Sequence, residues 1–374
     1  MLSTHRSRGT RRRGLLTLAA TASVALLLAA CGGDGGGGGG DDAGGGGGGG
    51  GGDKVGVSLI TKDSTNPFFV AMQKGAQADA DKNGVNLTVT SGKADGDEAG
   101  QVQAIEAAIA KGDKGILITP NGPGVNSAME KARAEGLYVI ALDTPPDPAS
   151  VVDITFATDN FEAGKLIGQW AAKQLAGKPT TIALLDLFND KIVSVDYNRN
   201  QGFLTGMGID VKDPKKNGDE AKTGSYSGGT YTIVCNEPAG GAEDGGRTAM
   251  ERCLAKNPDI NTVYTLNEPT ANGAFAALKA AGKEKGQIIV SVDGGCAGVA
   301  SVKDGTIGAT SQQYPLKMAT LGMEAIAKFA KDKTKPTTSE GLDFFNTGVA
   351  LVTDTPADGV ESITTDEASK ICWG

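Results

Sequence analysis

The sequence predicts an α/β protein built from two doubly wound parallel-sheet domains. Short apolar runs alternate with amphipathic stretches of about ten to fifteen residues, the pattern of βαβ units with a parallel sheet. The alternation starts near Val55 and starts again near Thr158, so one architecture is read twice. The 322 residues from Asp53 to Gly374 are long enough for two such domains.

Residues 55–60 form the first apolar run, a buried strand. In the Thr65-Asn66-Pro67-Phe68-Phe69 stretch that follows, Asn66 suits a helix N-cap and Pro67 the first helical position. A helix over 70–83 is then marked by Phe69, Met72, Ala76 and Ala80, and Gly84 follows its end. Two adjacent phenylalanines are not expected to face one core from a first turn. Local sequence divides them evenly between core and crevice; Phe68 is the better candidate for the crevice, because Phe69 belongs to the apolar stripe. Strands follow at 85–89, 115–119 and 137–142, with helices at 98–111 and 123–135. The second series places helices at 160–175, 196–207, 246–256, 271–281, 298–303 and 317–331. Its strands fall at 181–185, 231–234, 262–266, 287–292, 307–310 and 348–352, and the polar, glycine-rich 209–229 segment reads as a surface insertion. Right-handed crossovers put helices on both sheet faces.

Residues 1–30 read as an export signal, with Arg6, Arg8, Arg11, Arg12 and Arg13 ahead of an apolar, Ala-rich run. Leu28-Ala29-Ala30-Cys31 looks like a bacterial lipobox, which implies cleavage before Cys31 and lipid on its thiol. General and twin-arginine export both remain open. Residues 31–52 are nearly all glycine, a flexible tether with a reach of about 25 Å. A doubly or triply acylated cysteine then anchors the protein to the outer face of the cell membrane.

Without the signal, 31 basic side chains stand against 44 acidic ones, and no basic run remains, which argues against nucleic acid as a partner. The one histidine, His5, leaves with the signal, removing Ser-His-Asp, Cys-His and histidine-metal chemistry. Beside the lipobox Cys31, the body carries four cysteines, an even number that invites disulfides outside the cytoplasm. Cys235 ends an apolar run and Cys253 lies in the next helix, which favours that pair; Cys296–Cys372 follows by elimination. None has zinc-type spacing.

Polar residues cluster where strands end: Asp63 and Asn66, Asp143, Asn267 with Glu268, and Asp293. In a doubly wound sheet those ends share one edge, and two such edges facing each other make a cleft. Any single carboxylate there is more often a cap or loop residue than a ligand contact. Several in equivalent places favour a site.

At this point the body, from Asp53 to about Val352, resembles the type 1 periplasmic sugar-binding proteins. These are the ribose, galactose and fructose receptors of ABC importers, which share a fold with LacI-type repressor cores. The resemblance rests on residues 66–69, 141–143, 197–203, 266–268, 291–294 and 309–315, taken together and in order. It implies two lobes joined by a three-segment hinge: 53–157 with 313–345, and 158–312 with 346–374. It also implies that Asn66, Asp143, Arg199, Asn267, Asp293 and Gln313 hydrogen-bond sugar hydroxyls while Phe68 and Phe69 pack on the ring. Thr144 stands where the ribose-type pattern has arginine, and Glu268, Pro269 and Gly294-Gly295-Cys296 look closer to fructose-type receptors. The resemblance therefore implies a monomer that captures fructose or another hexose or pentose and delivers it to a permease and its ATPase, with no cofactor and no catalytic step. The rival readings are a sensor that presents its ligand to a receptor kinase and a hydrolase using paired carboxylates such as Asp143 and Asp293. A LacI-type repressor is disfavoured by the signal peptide standing where a DNA-binding motif would be.

Overall fold

The structure, a computed structural model, describes residues 54–374. The expected signal peptide, the lipidated Cys31 and the glycine tether lie outside the described residues.

The first lobe is built from β1 (Gly56–Thr61), α1 (Pro67–Asn83), β2 (Asn86–Ser91), α2 (Glu98–Lys111), β3 (Gly115–Ile118), α3 (Asn126–Ala134), β4 (Tyr138–Leu142) and β5 (Ile154–Ala157). The chain then enters the second lobe. That lobe comprises α4 (Asn160–Leu175), β6 (Thr180–Asp186), α5 (Ser194–Met207), β7 (Thr223–Tyr226), β8 (Gly229–Pro238), α6 (Glu243–Lys256), β9 (Thr262–Thr265), α7 (Glu268–Ala280), β10 (Ile288–Asp293), α8 (Cys296–Lys303) and β11 (Ala309–Gln312). It returns through α9 (Pro315–Asp332) and β12 (Phe345–Asn346), then crosses once more to β13 (Ala350–Val352) and α10 (Thr365–Ala368).

The first sheet has the order β2-β1-β3-β4-β5-β12 and is parallel throughout. Its alternation of side chains shows why both faces are covered. Val57, Leu59, Leu117, Tyr138, Ile140 and Leu142 join the helices α1 and α9 in one core. Ile60, Ile116, Ile118, Val139 and Ala141 join α2 and α3 in another. The second sheet, β7-β8-β6-β9-β10-β11-β13, is parallel except for its two edge strands.

Three departures from the sequence reading have local causes. The 209–229 insertion contains β7, whose first three residues are exposed; it owes its strand to antiparallel pairing with β8 rather than to an apolar pattern. β5 is only four residues long and gives too short a run for periodicity. β12 carries Asn346 into the first sheet opposite Ala157, so the crossing falls after Asn346 rather than after Phe345.

Three segments connect the lobes, and two of them are cross-linked. Thr158 donates to the Gly348 carbonyl (3.4 Å), and the Asp159 N–H donates to Asn346 Oδ1 (3.3 Å). At the rim of the cleft, Lys191 donates to the Gly96 carbonyl (3.2 Å), Ser194 to the Pro145 carbonyl, and Lys215 pairs with Asp147.

The second lobe's side of the cleft is set by an unusually close helix pair. Gly164 and Gly168 of α4 and Gly202 and Gly206 of α5 lie four apart, and a Cβ on any of them would strike the opposite helix's backbone. Their hydrogens let α5 settle against α4, which fixes where Arg199 emerges. Gly202→Ala would place its Cβ on the Phe161 carbonyl. It is expected to lower unfolding free energy by about 1–3 kcal/mol, checked by denaturant titration; an unchanged midpoint would contradict the close contact.

Candidate functional site

Every strand-end residue that faces the cleft lies at the carboxyl edge of its sheet, where open α/β sheets place ligands. Asn66, Phe68, Phe69, Asp143, Arg199, Asn267, Asp293 and Gln313, the eight positions singled out from sequence, line one cavity. Lys62, Asp95, Leu187, Val195 and Leu266 complete the lining.

Asn66 caps α1, its Oδ1 accepting from the Phe68 N–H (3.0 Å), with Pro67 next as expected. Asp63 does not line this cavity. Its carboxylate accepts the N–H groups of Thr65 and Asn66, both at 2.7 Å, and shapes the loop. The expectation that two neighbouring phenylalanines could not share a core is corrected. Phe68 and Phe69 are both buried in the first-lobe core and both line the cavity. Their rings meet edge to face with centroids 5.4 Å apart, so each covers a different part of one apolar wall.

Behind Phe68 stands a residue sequence reasoning missed. Trp373 meets the Phe68 ring edge to face at 5.3 Å, and its indole N–H donates to the Gln313 carbonyl (2.8 Å). The tail that carries it is held to the second lobe: the Trp373 carbonyl accepts from the Cys296 N–H (2.8 Å), and Cys372 faces Cys296 with Cα atoms 5.0 Å apart. Cys235 and Cys253 are likewise paired at 5.6 Å.

Asp143 adopts φ +63°, a left-handed conformation that a non-glycine residue occupies at a cost of roughly 1–3 kcal/mol. Its carboxylate accepts from Thr144 Oγ1 (2.8 Å) and lies 3.8 Å from Arg199 Nη2 across the cleft. Arg199 is oriented by two further bonds, Nε to Asn160 Oδ1 (2.7 Å) and Nη1 to the Leu266 carbonyl (2.9 Å). Asn267 caps α7 by accepting from Thr270 N–H (3.1 Å) and donates to the Gly241 carbonyl (2.9 Å). Its side chain therefore also serves the scaffold.

Asp293 ends β10, and the next residue, Gly294, takes φ +69° with no room for a Cβ against Gln312. That turn points the Asp293 carboxylate inward, where it accepts from Gln313 Nε2 (3.1 Å) and the Glu268 N–H (3.3 Å). Gln313 Oε1 is buried without a partner. Glu268 supports this corner from behind, accepting from the N–H groups of Gly294 (2.8 Å) and Gly295 (3.2 Å) and from Thr310 Oγ1 (2.8 Å).

Burial pushes Asp293 up to about 7, opposed first by the Arg199 charge. Burial, then the Asp293 charge, pushes Glu268 up to about 8, against the three donors that hold it. Both therefore bind a proton more tightly in the folded chain than in the unfolded one, where carboxyls titrate near 4. Their contribution to stability is fully present below about pH 4 and is lost as pH rises through about 7 to 8. Glu268→Gln is expected to flatten the fall in Tm between pH 5 and 8 relative to the parent; parallel Tm–pH curves would contradict it.

A family model described as a periplasmic binding protein domain matches residues 57–334. The chain belongs to the periplasmic binding protein family. Similarity extends to individual members of that family. The ribose import binding protein RbsB of Haemophilus influenzae is 30% identical over 280 residues, covering 75% of this chain and 86% of that one. The galactofuranose-binding protein YtfQ of Escherichia coli is 28% identical over 269 residues, covering 70% and 77%. Among solved structures, an ABC transporter solute-binding protein from Agrobacterium vitis with bound D-fucose matches with a TM-score of 0.69 and 26% identity, covering 85% of this chain and all of that one. Membership agrees with the two-lobed α/β architecture and implies an extracytoplasmic location.

Proposed function

We propose that this protein is the substrate-binding lipoprotein of an ABC sugar importer. It captures a monosaccharide, fructose or another hexose or pentose, between its lobes and delivers it to a permease and its ATPase, tethered to the membrane through lipid on Cys31. The observation that carries the reading is the lining of the cavity. Charged or amide planar groups from both lobes (Asp143, Arg199, Asp293, Gln313) converge beside two phenyl rings. A monosaccharide is a ring of hydroxyls, each donor and acceptor, with small apolar CH faces. Asp, Arg, Asn and Gln bind adjacent hydroxyls in pairs, and flat rings cover the CH faces.

The relatives support the ligand class, since ribose, galactofuranose and D-fucose are all monosaccharides. Residues 158–159, 313–314 and 347–349 serve as the hinge, and closure buries the ligand while forming a surface for the permease to recognise. We assign no catalytic role to the carboxylates: Asp143 faces the Arg199 charge at 3.8 Å, Asp293 accepts from Gln313, and both read as acceptors for sugar hydroxyls. Both cysteine pairs are taken as disulfides; their Cα separations fall within the range of roughly 4.4–6.8 Å that such bonds require.

Hydrogen bonds to charged partners contribute roughly 1.5–3 kcal/mol each. Asp293→Ala is therefore expected to weaken binding of the best monosaccharide about ten- to a hundredfold by calorimetry. Unchanged affinity would sink the assignment of this cavity. Trp373→Ala, which removes the support behind Phe68, is expected to raise Kd by several-fold while leaving stoichiometry at one; an unaltered Kd would show that the indole does not position the ring.

A further inference from the structure

Lys62 follows β1 directly and is only 2% exposed, on the first-lobe wall of the cavity. A buried ammonium is costly unless paired and hydrogen-bonded. Its one ion partner among the described residues is Asp95, at 3.6 Å, beyond hydrogen-bond length. Asp95 also lines the cavity, and its Oδ1 is buried with no hydrogen-bond partner. The Lys62 ammonium and Asp95 Oδ1 thus stand side by side against the same space, paired only by charge and with no hydrogen bond to the protein among the described residues. By contrast, the guanidinium on the opposite wall, Arg199, is held by Asn160 and the Leu266 carbonyl.

Resting on the sugar-binding reading, we propose that Lys62 and Asp95 form a specificity-determining subsite that reads a hydroxyl pair on the face of the sugar turned toward the first lobe. The Lys62 ammonium donates to one hydroxyl oxygen, and Asp95 accepts the proton of the same or the adjacent hydroxyl. The ligand is a neutral sugar rather than a sugar acid or phosphate. Two cations, Lys62 and Arg199, share the lining with three carboxylates, Asp95, Asp143 and Asp293, which leaves no net positive charge for an anion. The subsite adds polar contacts on the first-lobe wall beyond those of Asn66 and Asp143. It therefore favours sugars that carry a hydroxyl there over those that lack one.

The test uses calorimetry on the exported body, residues 53–374, with D-fructose, D-allose, D-galactose and D-ribose, then with the monodeoxy derivatives of the tightest binder. Lys62→Met and Asp95→Asn are each expected to weaken the tightest sugar about ten- to a hundredfold. One monodeoxy derivative is expected to bind the parent and both variants within about threefold, because the contact is already missing. Ligand-free Tm identifies a variant that fails to fold, and the other variant of the pair then carries the test. Unchanged affinity in the variants, or the same factor lost against every monodeoxy derivative, overturns the subsite. If Asp293→Ala weakens binding while Lys62→Met and Asp95→Asn do not, the sugar-binding reading stands and this inference falls. If none of the four sugars binds the parent, both fall.

Discussion

The structure depends on how charge is buried between the two lobes. Arg199 comes from the second lobe and faces Asp143 of the first at 3.8 Å, and both side chains are about 5% exposed. Desolvating such ions costs several kcal/mol each unless geometry and further hydrogen bonds compensate. Here Asn160 and the Leu266 carbonyl hold the guanidinium, and Thr144 donates to the carboxylate. The pair spans the cleft, so its geometry exists only when both sheet edges are brought together.

That requirement propagates outward. Arg199 can reach the cleft centre because the glycines at 164, 168, 202 and 206 let α4 and α5 touch backbone to backbone. Asn160 at the start of α4 is then within reach of the guanidinium. On the far side, the Gly294 turn and the Glu268 carboxylate hold Asp293 inward, while Trp373 ties Gln313 and Phe68 into one corner. Rigid groups placed in this way spend little conformational entropy on binding, the general advantage of preorganisation.

Much of this was legible because strand ends and helix starts follow local rules. Asn66-Pro67 announces its helix, and the alternation of apolar runs yields both sheets and their shared edge. Four of the polar residues at those edges, Asn66, Asp143, Asn267 and Asp293, line one cavity, as do Arg199, Gln313 and the two phenylalanines that the resemblance implied; Asp63 and Glu268 do not. Lys62 was not legible, since a lysine after a strand ordinarily extends into solvent and nothing local marks its burial. Asp95 sits in a loop whose path is set by Asn121, which accepts from the Gly96 N–H at 2.9 Å. Trp373 reaches the site only through the path of the C-terminal tail. Local sequence set core against crevice for the two phenylalanines, whereas an edge-to-face pair lets both serve core and cavity together, at the two positions that the resemblance implied.

The central claim is that a monosaccharide binds between Asp143, Arg199, Asp293 and the phenylalanine wall. A crystal structure of residues 53–374 with saturating amounts of the tightest-binding sugar tests it most directly. The account predicts density for one sugar ring between the lobes, its hydroxyls within hydrogen-bond distance of those three charged groups and one CH face against Phe68 or Phe69. A sugar bound elsewhere, with this cavity holding only water, would contradict it.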